Sequence, residues 1–320
     1  MNQSLRLIAV AALLAGAFAA RAEWPDKPVH FVVPFGPGGL ADVTFRVVAE
    51  KLSGIIGKPV LVENQPGAGG IAAAATVMKS RPDGHTLLVI ANGTAISKSL
   101  FKSLPYDPVK DLAPVALVAY FDLVVLAKGD SRYKTLADLL AAARASPGKL
   151  NFGSINPGST QNLSAELFKT TAGIDVPVIP FRTSNDAATA VIGGELDAVF
   201  ESYTAMKGLI DSGRLRPLAS TGTRRSTYLP ELPTVAEAGV PGYEVVGWNA
   251  LAAPAGTPDE VVTILNRHVN TVTSMPEVRA RFAQLGNEAH SGPPDDLRKR
   301  LAADIVKWEA VIRRAGIPLQ

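Results

Sequence analysis

The chain has 320 residues, contains no cysteine, and balances 32 lysines and arginines against 29 aspartates and glutamates. The missing cysteines exclude disulfide bonds, thiol catalysis and cysteine-ligated metal sites. The chain has no basic run and no basic residues interleaved with aromatic ones, which argues against nucleic-acid binding.

The N-terminus is typical of a secretory signal peptide. A basic start is followed by an apolar run, residues 7–20, that is too short for a comfortable membrane span. Ala20-Arg21-Ala22 fits the small-x-small cleavage pattern, so we predict cleavage after Ala22 and export to the periplasm. An uncleaved membrane anchor is the alternative. Loss of two cations with the signal lowers the net charge from +3 to +1, and we expect the mature chain to be soluble.

The first part of the mature chain alternates strand-like and helix-like segments. Apolar, β-branched runs predict strands at 29–35, 60–62 and 86–91. Apolar positions spaced three or four residues apart predict helices at 41–56 and 71–80. This alternation indicates a parallel sheet with helices on its faces.

The middle part repeats the arrangement. The predicted strands are 123–127, 150–154, 176–181, 197–200 and 215–220, and the predicted helices are 135–145, 159–172, 185–192 and 205–212. Thr135 is expected to cap the first of these helices. The chain is long enough for two lobes, each with its own core.

The C-terminal part is mostly helical. After a strand-like run at 243–252, a helix is predicted from Pro258 to about residue 274, with Thr257 as its N-cap. Helices at 276–285 and 294–315 flank a short strand at 287–291. If these helices pack on the first lobe, the chain crosses between lobes twice, near 121–125 and 243–248, and the pair of crossings forms a hinge. The expected lobes are 23–123 with 244–320, and 124–243.

A short phrase occurs twice, 120 residues apart, each time between a predicted strand and a predicted helix: FGPGGLAD at 35–42 and INPGSTQN at 155–162. Such turns present unpaired backbone amides and the positive end of a helix, which suit an anion such as a carboxylate. Gly38 and Gly39 let backbone approach a ligand closely. Ser159, Thr160 and Asn162 add neutral donors. The alternative is two ordinary glycine-containing turns.

Four charged or aromatic residues are candidates for the ligand site. Asp42 either caps its helix or orients the ligand through water. Arg182 and Glu201 follow predicted strands at the edge where open α/β sheets bind ligands, although such an arginine often pairs on the surface. Trp248 either covers a pocket or belongs to the core.

Other motifs are weak. GAGGIA at 67–72 matches a dinucleotide-binding fingerprint, but its preceding strand ends too early. The four histidines form no zinc-ligand spacing. No Gly-x-Ser-x-Gly elbow exists, and Ser154 lacks a convincing base partner, so an exported hydrolase is disfavoured.

An ordered series of motifs resembles the Bug (TctC-like) family, the periplasmic solute-binding components of tripartite tricarboxylate transporters. The motifs are WPDKP at 24–28, VPFGPGG at 33–39, VEN at 62–64, PGAGG at 66–70, PDGHTL at 82–87, LPYDP at 104–108, PGKL at 147–150, LPTVAEAG at 232–239 and PAGTP at 254–258. The resemblance spans nearly the whole mature chain.

The resemblance implies an α/β, two-lobed periplasmic binding protein fold with a double-crossover hinge, in which each lobe is a mixed, mainly parallel sheet flanked by helices. It implies a non-enzymatic, cofactor-free protein that holds a small carboxylated solute on the two phrases, commonly with bridging waters. It also implies delivery to a tripartite-type permease. A ligand-sensing role beside a sensor kinase is the alternative, and we expect a monomer.

The sequence departs from the family in the second lobe's share of the cleft. Asn156 replaces a usual glycine, Asn162 a common histidine, and 181–183 read Phe-Arg-Thr instead of Tyr, a basic residue and Gly. These amides and hydroxyls favour a ligand with a polar far end, of about four to nine carbons. The predicted ligand-binding set is Phe35, Gly36, Gly38, Gly39, Asp42, Asn92, Thr94, Ser154, Asn156, Gly158, Ser159, Thr160, Asn162, Arg182 and Glu201.

Overall fold

The computed structural model of the chain describes residues 24–226 and 228–320, and the predicted signal peptide lies outside these ranges. The strands are β1 (Val29–Val33), β2 (Val60–Asn64), β3 (Thr86–Ala91), β4 (Leu112–Lys128), β5 (Phe152–Ile155), β6 (Val178–Phe181), β7 (Ala198–Ser202), β8 (Leu215–Ser220), β9 (Val246–Pro254) and β10 (Asn287–Ala289). The helices are α1 (Leu40–Ile56), α2 (Ile71–Met78), α3 (Asn92–Leu100), α4 (Leu136–Ala145), α5 (Thr160–Ala172), α6 (Ser184–Gly193), α7 (Tyr203–Asp211), α8 (Asp259–Ser274), α9 (Pro276–Gln284) and α10 (Pro294–Ala315).

One long strand, β4, joins two halves of a mixed sheet whose strand order is β2-β1-β3-β9-β4-β7-β5-β6. Its first part, up to Asp122, pairs antiparallel with β9, and its last part, from Leu123, pairs antiparallel with β7 and β8. Parallel pairs lie further out, where β1 joins β2 and β3, and β5 joins β6 and β7. We call the part built on β1–β3, β9 and β10 lobe 1, and the part built on β5–β8 lobe 2.

The chain returns to lobe 1 beside the point where β4 leaves it. The Val245 amide donates to the Thr221 carbonyl at 2.8 Å in lobe 2, and the next residue, Val246, pairs with Asp122 in lobe 1. Two adjacent strands therefore carry the connection between the lobes.

Apolar faces of the helices cover both sides of the sheet. In lobe 1, Phe45 of α1 packs edge-on against Phe31 of β1, with ring centroids 5.9 Å apart. A larger core runs through both lobes and includes Trp308 of α10, which is 1% exposed. Each such large side chain contributes about 1.5–3 kcal/mol by its burial. The C-terminal helix α10 thus packs against β4, α3 of lobe 1 and α5 of lobe 2.

The alternation of strands and helices follows the sequence prediction, and the predicted cap of α4 is confirmed, because the Thr135 side chain accepts from the Asp138 amide. The predicted cap of α8 is wrong: the Thr257 hydroxyl donates back to the Pro254 carbonyl at 2.8 Å, and Pro258 takes the N-cap position. Strand β1 ends at Val33 because the chain already turns at Pro34.

Two elements were not predicted. Helix α3 is rich in Gly, Ser and Thr, which are poor helix formers, and the first part of β4 contains Pro114. Long-range packing stabilises α3 against its local preference, whereas in β4 Pro114 lies at an irregularity in the pairing with β9. Trp248 is fully buried in the core and does not cover a pocket.

Candidate ligand-binding cleft

A cleft opens where the carboxyl ends of β1, β3 and β5 face each other across the lobes. This is the edge at which open α/β sheets bind ligands. Its lining is made of Pro34, Phe35, Gly67, Gly69, Gly70, Gly93, Thr94, Ile155, Asn156, Pro157, Gly158, Ser159 and Thr160. None of these side chains is charged, so any charge on a ligand must be met by backbone dipoles and neutral donors.

Three helices point their N-termini at this cleft. Gly70 is the N-cap of α2, Gly93 and Thr94 lie in the first turn of α3, and Ser159 is the N-cap of α5. None of the three helices has an acidic residue in its first turn. First-turn amides lack partners within their helix and carry partial positive charge, so their convergence favours an anion.

The lobes meet directly across the cleft at two glycines. A Cβ placed on Gly93 would lie 3.5 Å from the Gly158 carbonyl oxygen, and one placed on Gly158 would lie 2.9 Å from a methyl of Leu100. Gly158 also has φ of +81°, a region that favours glycine. Only a small cavity, of about 30 Å³, remains between the lobes. The two lobes are therefore in contact across the cleft in this structure.

The two repeated loops share one internal hydrogen bond. The Gly38 amide donates to Asp42 Oδ2 at 2.8 Å, and the Gly158 amide donates to Asn162 Oδ1 at 3.4 Å. Asn162 also donates to the Ser154 hydroxyl at 3.2 Å. These side chains build the loops from within and do not line the cleft.

The Asp42 carboxylate is committed to its own lobe. It is 3% exposed and is bonded by Arg46, at 3.0 Å, and by the Asn64 amide, at 2.9 Å. Burial raises the pKa of Asp42, but the hydrogen bonds from Arg46, Gly38 and Asn64 outweigh it and hold that pKa below its usual value. The structure thus gives Asp42 a loop-stabilising position rather than a ligand-facing one.

Glu201 is fully buried at the carboxyl end of β7. Its oxygens accept from Gln161 Nε2 at 2.9 Å, the Ser184 hydroxyl at 2.7 Å and the Ser202 amide. Burial raises the pKa of Glu201, and these neutral donors offset it only in part. Arg182 is exposed beyond the end of β6.

The Asn92 side chain points away from the cleft, although its helix lines it. Asn92 is fully buried and bonds to Trp248 and Asp304. Its neighbour Thr94 does line the cleft.

The structure brings together six of the predicted ligand-binding residues: Phe35, Thr94, Asn156, Gly158, Ser159 and Thr160. Nine others do not line the cleft: Gly36, Gly38, Gly39, Asp42, Asn92, Ser154, Asn162, Arg182 and Glu201. Sequence reasoning missed the glycines at 67, 69, 70 and 93. The Gly-Ala-Gly-Gly run was a visible signal, since it precedes a helix just as the two phrases do.

Two further properties concern the described ranges only. No group of three or more His, Asp or Glu side chains there is arranged to hold a metal ion. None of the helices in those ranges is both long and apolar enough to span a membrane.

A family model described as "Tripartite tricarboxylate transporter family receptor" matches residues 44–317. Protein BugT of Bordetella pertussis is 35% identical over 324 residues, an alignment that covers 100% of this chain and 99% of BugT.

Solved structures agree with this match. Rpa4515 of R. palustris with adipate has a TM-score of 0.88 and 35% identity, and the alignment covers 92% of this chain and 99% of that one. MatC (Rpa3494) of Rhodopseudomonas palustris with bound malate has a TM-score of 0.83 and 31% identity, with coverage of 90% and 100%. The two-lobed binding-protein fold predicted from the sequence is confirmed.

Proposed function

The chain belongs to the tripartite tricarboxylate transporter receptor family, and from this premise we propose that it captures a small organic acid between its lobes and delivers it to a membrane permease. The family is one of solute-binding receptors, so the protein is not an enzyme. Members are periplasmic binding proteins.

One observation carries the proposal of a carboxylate ligand. The N-termini of α2, α3 and α5 converge on a cleft whose lining has no charged side chain. The partial positive charge of these helix ends disfavours a cation and gives a neutral sugar no electrostatic advantage, whereas it attracts a carboxylate. Two similar proteins were solved with adipate and with malate, which supports an acid of this size.

The residues proposed to hold the acid come from both lobes. In lobe 1 the amides that follow Gly70 and Gly93, with the Thr94 hydroxyl, bind one carboxylate. In lobe 2 the Thr160 hydroxyl and the Asn156 amide complete the contacts. A hydrogen bond to a charged group contributes roughly 1.5–3 kcal/mol. Three or four such bonds, less the ordering costs, are compatible with micromolar binding.

Closure follows from contacts made by both lobes. A ligand that touches lobe 1 and lobe 2 together binds the closed form more tightly, so it shifts the population toward that form. We propose that the lobes are 23–123 with 244–320, and 124–243, that they rotate about β4 and β9, and that a permease recognises the closed form.

The proposal includes export with cleavage after Ala22. Intact-mass measurement of protein recovered from the periplasm should give a mature chain that starts at Glu23. A mass that retains the first 22 residues would contradict this step.

The central test is a thermal-shift screen of adipate, malate and monocarboxylates against amines and neutral sugars. At 100-fold over its dissociation constant, the correct acid stabilises the protein by about 2.7 kcal/mol. A complex structure should then place the carboxylate at the amides of α2, α3 and α5. Stabilisation by amines or sugars alone, or an acid bound outside this cleft, would overturn the proposal.

A further inference from the structure

The C-terminal helix places a buried carboxylate against the first residue of α3. Asp304 of α10 is 3% exposed, and its Oδ2 accepts from Asn92 Nδ2 at 3.0 Å and from Trp248 Nε1 at 2.7 Å. The Asn92 Oδ1 in turn accepts from the Trp248 amide at 2.9 Å. Residues 212 positions apart in sequence are therefore joined in one closed set of buried hydrogen bonds.

Arg300, one turn earlier on α10, extends this set to the hinge. Its Nε lies 3.2 Å from Asp304 Oδ1, and its terminal nitrogen donates to the Val246 carbonyl at 3.0 Å. The guanidinium also lies over the Tyr120 ring, 5.7 Å from its centroid. Val246 and Tyr120 belong to β9 and β4, just on the lobe 1 side of the two crossings. The pair thus contacts both strands that connect the lobes.

Helix α3 needs such an external anchor. It has no side-chain N-cap bond, and its sequence, NGTAISKSL, contains weak helix formers. Its first turn nevertheless has to aim Gly93 and Thr94 at the cleft. With no local cap to fix the start of the helix, the Asn92 side chain and its partners on α10 and β9 fix it instead.

The ion pair also suits an anion site electrostatically. A lone buried carboxylate near the start of α3 would attract the helix dipole but repel an anionic ligand nearby. Pairing with Arg300 cancels that charge while it leaves Asp304 as a hydrogen-bond acceptor. Neither residue lines the cleft.

We infer that Asp304 and Arg300 are positioning residues, which hold the N-terminus of α3 at the ligand cleft and fix it to the two strands of the hinge. The inference deepens the proposed function, because it names residues remote in sequence that position α3, one of the three helices proposed to bind the anion. The expected change in ligand affinity rests on that proposed function, whereas the expected change in amide hydrogen exchange does not.

The test compares three variants of the full mature chain. Asp304→Leu removes both carboxylate oxygens, and with them the acceptor for Asn92 Nδ2 and Trp248 Nε1. Asp304→Asn keeps one oxygen for Asn92 and Trp248 and serves as the conservative rescue. Leu301→Ala, at a buried site on the same helix that is outside the hydrogen-bonded set, serves as the matched packing control.

Two readouts are taken: amide hydrogen exchange without ligand at residues 95–98, the first amides of α3 that have partners within the helix, and adipate affinity by calorimetry. In Asp304→Leu, exchange at residues 95–98 should rise about tenfold and adipate affinity should fall about tenfold. Asp304→Asn should stay within about threefold of the wild type in both readouts. Leu301→Ala should lower the melting temperature and leave both readouts unchanged.

Unchanged exchange in Asp304→Leu, or equal changes in Leu301→Ala, would overturn the inference. If Asp304→Leu does not fold, Arg300→Met takes its place. In that variant adipate affinity should fall about fivefold, and an unchanged affinity would overturn the inference.

If the wild type does not bind adipate, the proposed ligand is wrong. Amide hydrogen exchange in Asp304→Asn and Arg300→Met then still tests the positioning role. Arg300→Met should then raise exchange at residues 246–248, and Asp304→Asn should leave residues 95–98 of α3 as protected as in the wild type.

Discussion

Asn162 occupies in the lobe 2 loop the position that Asp42 occupies in the lobe 1 loop, since each side chain accepts a hydrogen bond from the glycine amide four residues before it. The geometry repeats, but the charge does not. Asp42 is neutralised by Arg46, 2.9 Å away, at the start of α1, a helix whose N-terminal turn does not line the cleft. Asn162 is neutral at the start of α5, whose first residues do line it. A neutral side chain, Asn162, therefore lies in the first turn of the helix at which we expect the anion to bind.

This difference predicts the effect of placing a carboxylate in the lobe 2 loop. Asn162→Asp keeps the shape of the side chain but places a carboxylate in the first turn of α5, so carboxylate affinity should fall about tenfold or more, a change of roughly 1.4 kcal/mol. Calorimetry with adipate measures it. Asp42→Asn is the matched control, and it should lower stability by about 1 kcal/mol while affinity stays nearly unchanged. Equal loss of affinity in both variants would contradict the assignment of the anion to α5.

Asp122 predicts a pH dependence of stability that originates at the hinge. Burial, reinforced by the Glu288 charge and partly offset by Arg224, raises the pKa of Asp122 to about 6. Below about pH 4 both folded and unfolded chains hold this proton, between about 4 and 6 only the folded chain holds it, and above 6 neither does. The free energy of unfolding should therefore fall as pH rises from 4 to 6, by at most about 3 kcal/mol.

The measurement is urea unfolding of the wild type and Asp122→Asn between pH 4 and 7.5. The variant lacks the titrating group, so it should gain stability relative to the wild type as pH rises, and the two should differ least near pH 4. Parallel stability curves across this range would show that Asp122 titrates normally.

The cap of α4 gives a prediction that separates folding from binding. The Thr135 side chain accepts from the Asp138 amide, and Asp138 bonds back to the Thr135 amide at 2.9 Å. Thr135→Ala should cost about 1 kcal/mol of stability, read as a lower urea midpoint. Because α4 lies away from the cleft, adipate affinity should not change. A loss of affinity here would mean that carboxylate binding reports on general stability.

Much of the fold was predictable because it follows from local patterns. The alternation of apolar strands and amphipathic helices, the Thr135 cap and the helix at Pro294–Ala315 are all encoded within a few turns of chain. Helix α3 was not, because its Gly, Ser and Thr content argues against a helix and its anchor, Asp304, is remote in sequence. The first part of β4 differs, because its apolar run at 115–121 is a local strand signal that the sequence prediction leaves out.

In the candidate site too, some residues are predictable from local sequence and others depend on contacts remote in sequence. The repeated phrase identifies Gly158, Ser159 and Thr160, since a strand–turn–helix pattern directs amides to the sheet edge. The same rule placed Glu201 at the correct edge, but burial depends on the neighbouring Gln161 and Ser184 and has no local signal. Asn92 likewise precedes a cleft-lining turn, yet its side chain is bound by a helix that begins about 200 residues later.

The closed contact between Gly93 and Gly158 yields the last prediction. A Cβ on Gly93 would lie 3.5 Å from the Gly158 carbonyl oxygen, which is ordinary contact. We expect the two further methyls of valine to crowd the lobe 2 loop. Gly93→Val should therefore hold the lobes apart and weaken adipate binding at least tenfold. The fold should survive, since the added groups meet the other lobe rather than a core.

Small-angle X-ray scattering with saturating adipate measures this effect, because a wedge raises the radius of gyration above that of the liganded wild type. Gly36→Ala is the control, since a Cβ there meets nothing within 4 Å, and it should close and bind as the wild type does. If Gly93→Val gave the wild-type radius and affinity, direct contact of the two glycines would not be part of the closed state. If affinity fell while the radius of gyration stayed at the wild-type value, the substitution would instead have disturbed the first turn of α3 itself.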